Sequence, residues 1–388
     1  MQKPLLVLSL ASLVAAGAAR AQDSTAAVVP PAPREVRVCA GGDVTIGTNL
    51  DTTWATAASR KFGMRVPAFP NPDSLLFPLR ALVEDADVVL LNVEGAIGQG
   101  WAPRKCRPGS TMCFAFRMPP TVPAALRGLR DSGEVVGNVA NNHAGDAGPE
   151  GRAQTVARLE DAGIHVTGRD TIPTVVVTAA GDTLAFLGFA TSGPPNDVRD
   201  LATVRRLVER AARDYRRVIV TMHLGAEGAG AMRTADVMEQ FAGGTRGNPV
   251  AFARTAVDAG ADLVIGHGPH VLRAVEWRGD ALVAYSLGNL LTYGPFTLAG
   301  PNARAGLLCA TLDESGKVTA AELRPTRQTP PGLVEADVEL RALDIVDALS
   351  GRDFPSSGGR VMEDGTIVRR GIPVTKDRPD SVPPAPPR

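Results

Sequence analysis

The chain has 388 residues, 41 of them Lys or Arg and 41 Asp or Glu, so its formal net charge is zero. Hydrophobic residues make up 44% and charged residues 21%, proportions that suit a folded domain with a sizeable core. Balanced charge, with neither a basic tail nor an acidic run, excludes the simple nucleic-acid-binding classes, and 11 Phe, 3 Trp and 3 Tyr leave few aromatic platforms.

In chain order, Met1-Gln2-Lys3 is a short positive start and Leu5 to Ala16 an apolar stretch. Ala19-Arg20-Ala21 then places small residues where signal peptidase reads. Together they predict a signal peptide over residues 1–21, cut before Gln22, and an exported protein, periplasmic or secreted. The apolar run is shorter than the ~18 residues a membrane span needs, and no later segment is apolar enough to cross a bilayer. Residues 22–34, rich in Ala, Pro and Val, read as a disordered linker. From 35 to 350, β-branched runs alternate with helical patterns, which predicts one α/β domain. Strands are expected at 36–41, 87–92, 134–139, 174–178, 183–190, 217–222, 262–265, 271–277, 281–285, 305–312 and 317–324. Helices are expected at 74–84, 121–131, 149–162, 200–214, 248–259 and 333–349. A helix at 231–241 and the Gly-rich stretch 243–248 read as an insertion after Glu227. Residues 351–388 read as a Pro- and Gly-rich tail.

Four Cys remain after the predicted cut. Cys106 and Cys113 share a long loop, where a local bridge and two separate thiols both suit the spacing. Cys39 and Cys309 lie in strand-like runs and read as packed thiols.

The chemistry lies directly after the strands. Asp43 follows Val38-Cys39-Ala40-Gly41-Gly42, and Asn92-Val93-Glu94 follows Val88-Val89-Leu90-Leu91. Asn141-Asn142-His143 and Asp146 follow the third run, His223 and Glu227 a later one, and His267-Gly268-Pro269-His270 the next. Ser286 and Asn289 follow Ala281-Leu282-Val283-Ala284-Tyr285. Open α/β sheets bind ligands outside the carboxyl ends of their strands. The chain has only 5 His, and His143, His223, His267 and His270 all fall at such ends; His165 does not and reads as structural or surface. Asp, Glu, Asn and His without thiolate suit a divalent ion, Mn, Fe or Zn, in a hydrolytic centre of one or two metals. Tyr285-Ser286-Leu287-Gly288 forms no nucleophile elbow, so Ser286 and Asn289 read as site-lining or turn residues.

These blocks, in this order over residues 36 to about 325, resemble the bacterial capsule-synthesis CapA family, called PgsA in poly-γ-glutamate producers. The resemblance implies a calcineurin-like metallophosphoesterase fold, a single-domain four-layer α/β/β/α sandwich with metals at the strand ends. Carried over residue by residue, it implies Asp43, Glu94, Asn142, His223, His267 and His270 as metal ligands. His143 would be the catalytic imidazole with Asp146 orienting it, and Asn92, Glu227, Ser286 and Asn289 would meet substrate. Two blocks depart from the pattern. Asp43-Val44-Thr45 lacks the His of Asp-x-His, and Gly268 stands in the middle of the His-Pro-His block. The implied function is a metal-dependent hydrolase of a phosphoester or of an amide-linked polymer such as poly-γ-glutamate. The alternative is a non-catalytic assembly and export factor that binds the polymer. The implied partners are an anionic polymer or a phosphorylated small molecule, with capsule-assembly proteins. Arg104, Lys105, Arg107 and Arg117 would suit a polyanion, although solvated surface charge is the simpler explanation.

Overall fold

The computed structural model describes residues 34–47, 52–98, 105–106, 113–191 and 196–371. The predicted signal peptide, the linker through residue 33, Arg104, Arg107 and the tail beyond 371 lie outside the described residues. The chain begins one sheet, leaves it to build a second, and returns to finish the first.

The first sheet starts with β1 (Val36–Ile46), β2 (Val88–Val93), β3 (Glu134–Asn138) and β4 (His165–Thr167), parallel in that order. The second holds β5 (Thr174–Val177), β6 (Thr183–Ala190), β7 (Val218–His223), β8 (Leu263–His267), β9 (Val275–Arg278) and β10 (Ala281–Ala284). Its order is β9-β10-β8-β7-β6-β5, with β6, β7, β8 and β10 parallel. The chain then adds β11 (Asn289–Tyr293), parallel to β1, and the antiparallel run β12 (Arg304–Leu312), β13 (Val318–Thr329) and β14 (Leu333–Ala336).

Alternation along the strands sets the layers, because successive side chains point to opposite faces. Val36, Val38 and Ala40 of β1 pack with Leu184, Phe186, Ile219 and Ile265 of the other sheet, forming the core between the sheets. Cys39, Val44 and Ile46 point the other way, toward α1 (Thr52–Phe62), α2 (Pro72–Leu76), α3 (Val122–Arg127) and α4 (Gly148–Asp161). The outer face of the second sheet is covered by α5 (Leu201–Asp214) and α6 (Pro249–Asp258). In α5 the buried residues Val204, Leu207, Val208 and Ala211 keep helical spacing, and Asp200 caps the start by accepting from Thr203 N at 3.1 Å. Helices, sheet, sheet and helices form the expected four-layer α/β/β/α sandwich. The central strands β2, β7 and β8 are buried on both faces, which is why they read as continuous apolar runs.

The differences have local causes. Strand β1 runs five residues past its predicted end. The predicted helix 333–349 divides: Leu333–Ala336 pairs with β13, and α7 (Arg341–Asp353) begins only after Asp337 accepts from Ala342 N at 3.0 Å. No helix forms at 231–241. That segment is organised around Glu239, which accepts two 2.8 Å bonds from the buried Arg273 and one of 2.6 Å from Ala226 N. A buried ion pair of this kind overrides helical periodicity. The predicted strand 271–277 shortens to β9, leaving residues 268–274 as the loop that carries His270. Residues 351–371 are part of the domain: Gly359–Val361 pairs with Ile367–Arg369, and Val361 and Ile367 are buried. Cys39 and Cys309 are not separate thiols. The β1–β12 register sets them directly opposite and they form a disulfide, as do Cys106 and Cys113.

Candidate metal centre

Three strand ends of the first sheet converge on a buried polar cluster. Asp43 is fully buried, opposite Asn92 on one side and Asn289 on the other. Asn92 donates to Asp43 Oδ1 at 2.7 Å, and its own oxygen accepts from Asn138 at 2.9 Å and Asn141 at 3.1 Å. Asn92 therefore positions Asp43 from behind and does not line the pocket. Close backbone approach holds the strand in place, since a Cβ at Gly42 would stand 1.8 Å from the Gly288 carbonyl oxygen. Glu94 follows directly after β2 and is also buried, with Oε1 lacking any hydrogen-bond partner.

The second sheet supplies imidazoles. His223 and His267 end β7 and β8 and stand side by side in register. His223 Nε2 donates to Asn142 Oδ1 at 2.7 Å and lies 3.6 Å from Glu94 Oε1. Both ring nitrogens of His267 are buried without a partner. Gly268, the departure from the His-Pro-His block, has φ +104°, and a Cβ there would press within 3.1 Å of His223 Nε2. His270 sits in the left-handed region at φ +58°, an uncommon setting for a non-glycine residue. Its Nδ1 reaches Asp43 Oδ2 at 2.9 Å and Asn289 Oδ1 at 3.0 Å, with Glu227 Oε2 3.7 Å from Nε2.

Electrostatics follow from this crowding. Burial pushes His223 well below its ordinary pKa and brings His267 down to about 4, so both are neutral at pH 7. Burial also disfavours a charged His270, but Glu94 and Asp43 outweigh it and raise the imidazole to about 10. Burial opposes ionisation of Asp43 too, yet the hydrogen bond from His270 holds its carboxyl well below the usual range. Burial and the neighbouring Asp43 push Glu94 well above its ordinary value.

Donor atoms of Asp43, Glu94 and His270 lie within 4.8 Å of one another, close enough to share one cation. The neutral His223 and His267, the buried acids Asp43 and Glu94 and the unpartnered atoms of Glu94 and His267 are the donor types of a divalent-metal site, and a bound ion would displace the proton from His270. His223, His267 and Asn142 complete its surroundings.

Beside the cluster, His143 Nδ1 lies 2.6 Å from Asp146 Oδ2, which also accepts from Phe116 N at 2.7 Å. Lys105 bonds to the other Asp146 oxygen and approaches His143 Nδ1 at 3.3 Å. Burial leaves the His143 imidazole below its ordinary pKa despite Asp146. Phe116 stacks on it with centroids 3.9 Å apart. Ser286 is a turn residue, its hydroxyl accepting from Gly288 N at 3.3 Å. His165 on β4 pairs with Glu134 on β3, which suits its reading as a structural or surface residue.

Sequence reasoning named Lys105 only as a candidate polyanion contact, and did not single out Phe116, Phe296, Asn138 or Asn141 as site residues. Both Asn residues stand in the third strand-end block and were legible there; the Phe residues carry no local signal.

The profile of the bacterial capsule synthesis protein PGA_cap matches residues 37–293. This chain belongs to that family. A relative within reach of PGA_cap is the capsule biosynthesis protein CapA of Bacillus anthracis, 27% identical over 43% of this chain and 42% of CapA. The chain thus matches less than half the length of that relative. A probable polyglutamine synthesis accessory protein of Mycobacterium tuberculosis is 28% identical over 67% of this chain and 75% of its own. Among solved structures, a phosphatase from Mycoplasma pneumoniae is similar with TM-score 0.45 and 13% identity, over 79% of this chain and 96% of that one. No activity is transferred from that likeness. Among the described residues, no helix of this PGA_cap protein is long and apolar enough to cross a membrane.

Proposed function

We propose that the protein is an exported, divalent-metal-dependent hydrolase acting on a phosphoester or on an amide-linked, poly-γ-glutamate-like substrate. The observation that carries this reading is the convergence of Asp43, Glu94 and His270 donors within 4.8 Å, beside the His143–Asp146 pair. A Mn, Fe or Zn ion held there would polarise the scissile phosphoryl or carbonyl group and acidify a water. Asn92 and Asn289 hold the donors at their angles, as outer hydrogen bonds do around metal ligands. Asp146 fixes the His143 proton at Nδ1, which leaves Nε2 to exchange a proton with the leaving group. In the cleavage itself the water oxygen bonds to phosphorus or carbonyl carbon as the bond to the leaving oxygen or nitrogen breaks. The proton shed by the water is taken up by His143 Nε2 and passed to the leaving atom. Membership of the capsule-synthesis family supports a place outside the cytoplasm, an anionic polymer or phosphorylated small molecule as substrate, and capsule-assembly partners.

The test is elemental analysis of the purified protein beside Asp43→Ala, His223→Ala and His143→Ala, with a panel of phosphoester and γ-glutamyl substrates. The expected result is one or two ions per chain, lost in the first two variants, and turnover lost in His143→Ala with metal retained. A folded protein that takes up no Mn, Fe or Zn would overturn the hydrolase. The non-catalytic, polymer-binding reading would then take its place.

A further inference from the structure

We infer that Lys105 is a positioning residue for the His143–Asp146 pair, held at that post by the Cys106–Cys113 bridge. The inference rests on the hydrolase reading above and names what keeps its proton-exchanging imidazole in place.

Asp146 is buried, and a buried carboxylate is tolerated only when its oxygens are paired. Oδ2 accepts from His143 Nδ1 at 2.6 Å and from Phe116 N at 2.7 Å. Oδ1 is left to Lys105, whose ammonium bonds to it and also donates to the Asn142 carbonyl oxygen at 3.3 Å. One cation therefore balances the acid and pins the backbone just before His143. A carboxylate only accepts, so Asp146 requires the proton on Nδ1, and the ammonium 3.3 Å from that nitrogen has no lone pair to bond there. Lys105 thus acts on the imidazole through Asp146. Without it, Oδ1 is a buried acceptor with no donor, and the carboxylate is driven to turn away from the ring to find one.

These contacts come from the two ends of one loop. Phe116 gives its backbone N–H to Asp146 and lays its ring on the imidazole at 3.9 Å, with Phe296 against it at 5.4 Å. That end is tied into the fold by the short parallel pairing of Ala96–Ile97 with Arg117–Met118. Lys105 stands at the other end, and the Cys106–Cys113 bridge joins its neighbour to the anchored side. The Lys105 side chain is 33% exposed, so water competes for its ammonium. A cross-link next to such a side chain lowers the entropy lost in ordering it. The ammonium is turned inward onto a buried acid and is not held out to a polyanion.

The experiment compares the full-length protein with Lys105→Met, Lys105→Arg and the double variant Cys106→Ser, Cys113→Ser. Two readouts are taken: turnover of a phosphoester or γ-glutamyl substrate, and nitrogen-15 NMR of the histidine-labelled, metal-free protein. The His143 ring signals, assigned by their loss in His143→Ala, report which ring nitrogen carries the proton. In the parent they should show the Nδ1–H form alone. Lys105→Met should lower kcat about 10- to 100-fold, less than the ~10²–10⁴ that a whole acid–base group supplies. KM should stay within about twofold, and the His143 signals should divide between the two proton positions. Lys105→Arg can pair with the same carboxylate and should recover most of both effects. The double variant should move both readouts in the same direction by a smaller amount. A raised KM with kcat and the His143 signals unchanged would make Lys105 a substrate contact and overturn the inference, as would parent values throughout in Lys105→Met. A double variant with parent turnover and parent signals would overturn the role of the bridge. Circular dichroism separates these outcomes from misfolding. The NMR readout needs neither metal nor turnover, so a protein that cleaves nothing but shows the expected His143 changes would overturn the hydrolase reading and leave the positioning intact.

Discussion

The first sheet brings oxygen to the centre and the second brings nitrogen. Asp43, Asn92, Glu94 and Asn142 arrive on β1, β2 and the turn after β3, whereas His223, His267 and His270 arrive on β7, β8 and the loop beyond. Neither set is stable alone in a dry interior. Asp43 raises Glu94 by repulsion and burial suppresses the charged form of His223, yet across the gap His270 and Asp43 hold each other charged. The two sheets are therefore coupled by a site that exists only where their strand ends meet.

The largest way to break that coupling is to remove its central carboxylate. Asp43→Ala should weaken metal binding more than about 100-fold, beyond the 10–100-fold typical of lost outer partners, as read by competition with a chelating dye. Unchanged affinity would place the ion elsewhere.

Breaking the scaffold of the first sheet, and not its donors, should separate stability from binding. The double variant Cys39→Ala, Cys309→Ala opens a disulfide spanning 270 residues of sequence. It should lose about 2–5 kcal/mol in denaturant unfolding. Metal affinity should stay near the parent value, because β1 keeps its ladders to β2, β11 and β12.

Asn92→Ala sharpens the comparison from within. It leaves every proposed ligand in place but removes the donor to Asp43 and the acceptor for Asn138 and Asn141. About 10–100-fold weaker metal binding is expected, with a fold intact by circular dichroism. A variant that binds like the parent would make Asn92 a bystander.

The smallest effect tests the opposite end of β8 from His267. Burial raises the Asp262 carboxyl to about 7 while it accepts from Val218 N at 2.7 Å. A raised carboxyl stabilises the fold while protonated, below its unfolded value, and that stability is lost as pH rises through about 7. Asp262→Asn keeps an acceptor for Val218 and should flatten this dependence. The gain should be at most about 2 kcal/mol above pH 7, after solvent screening, and close to none at pH 4. Equal gains at both pH values would mean that ionisation is not the cause.

Much of this was legible in one dimension because the central strands of both sheets are buried on both faces. Strands inside such layers must be continuous apolar runs, and polar residues break the run only where the strand leaves the core, so Asp43, Glu94, His223 and His267 marked their own positions. The same logic failed where long-range pairing set the conformation. Leu333–Ala336 has helical periodicity but lies on a sheet edge, and residues 231–241 yield to the buried Arg273–Glu239 pair. Composition and pattern determined the α/β class, the run of strands and the residue types of the site. Only the tertiary structure decided that Cys39 faces Cys309, that Lys105 reaches Asp146, that Phe116 covers His143 and that His270 bridges the sheets. Those contacts join residues 27 to 270 positions apart, and the free energy that selects them comes from burying each partner against the other. Local sequence carries no term for it.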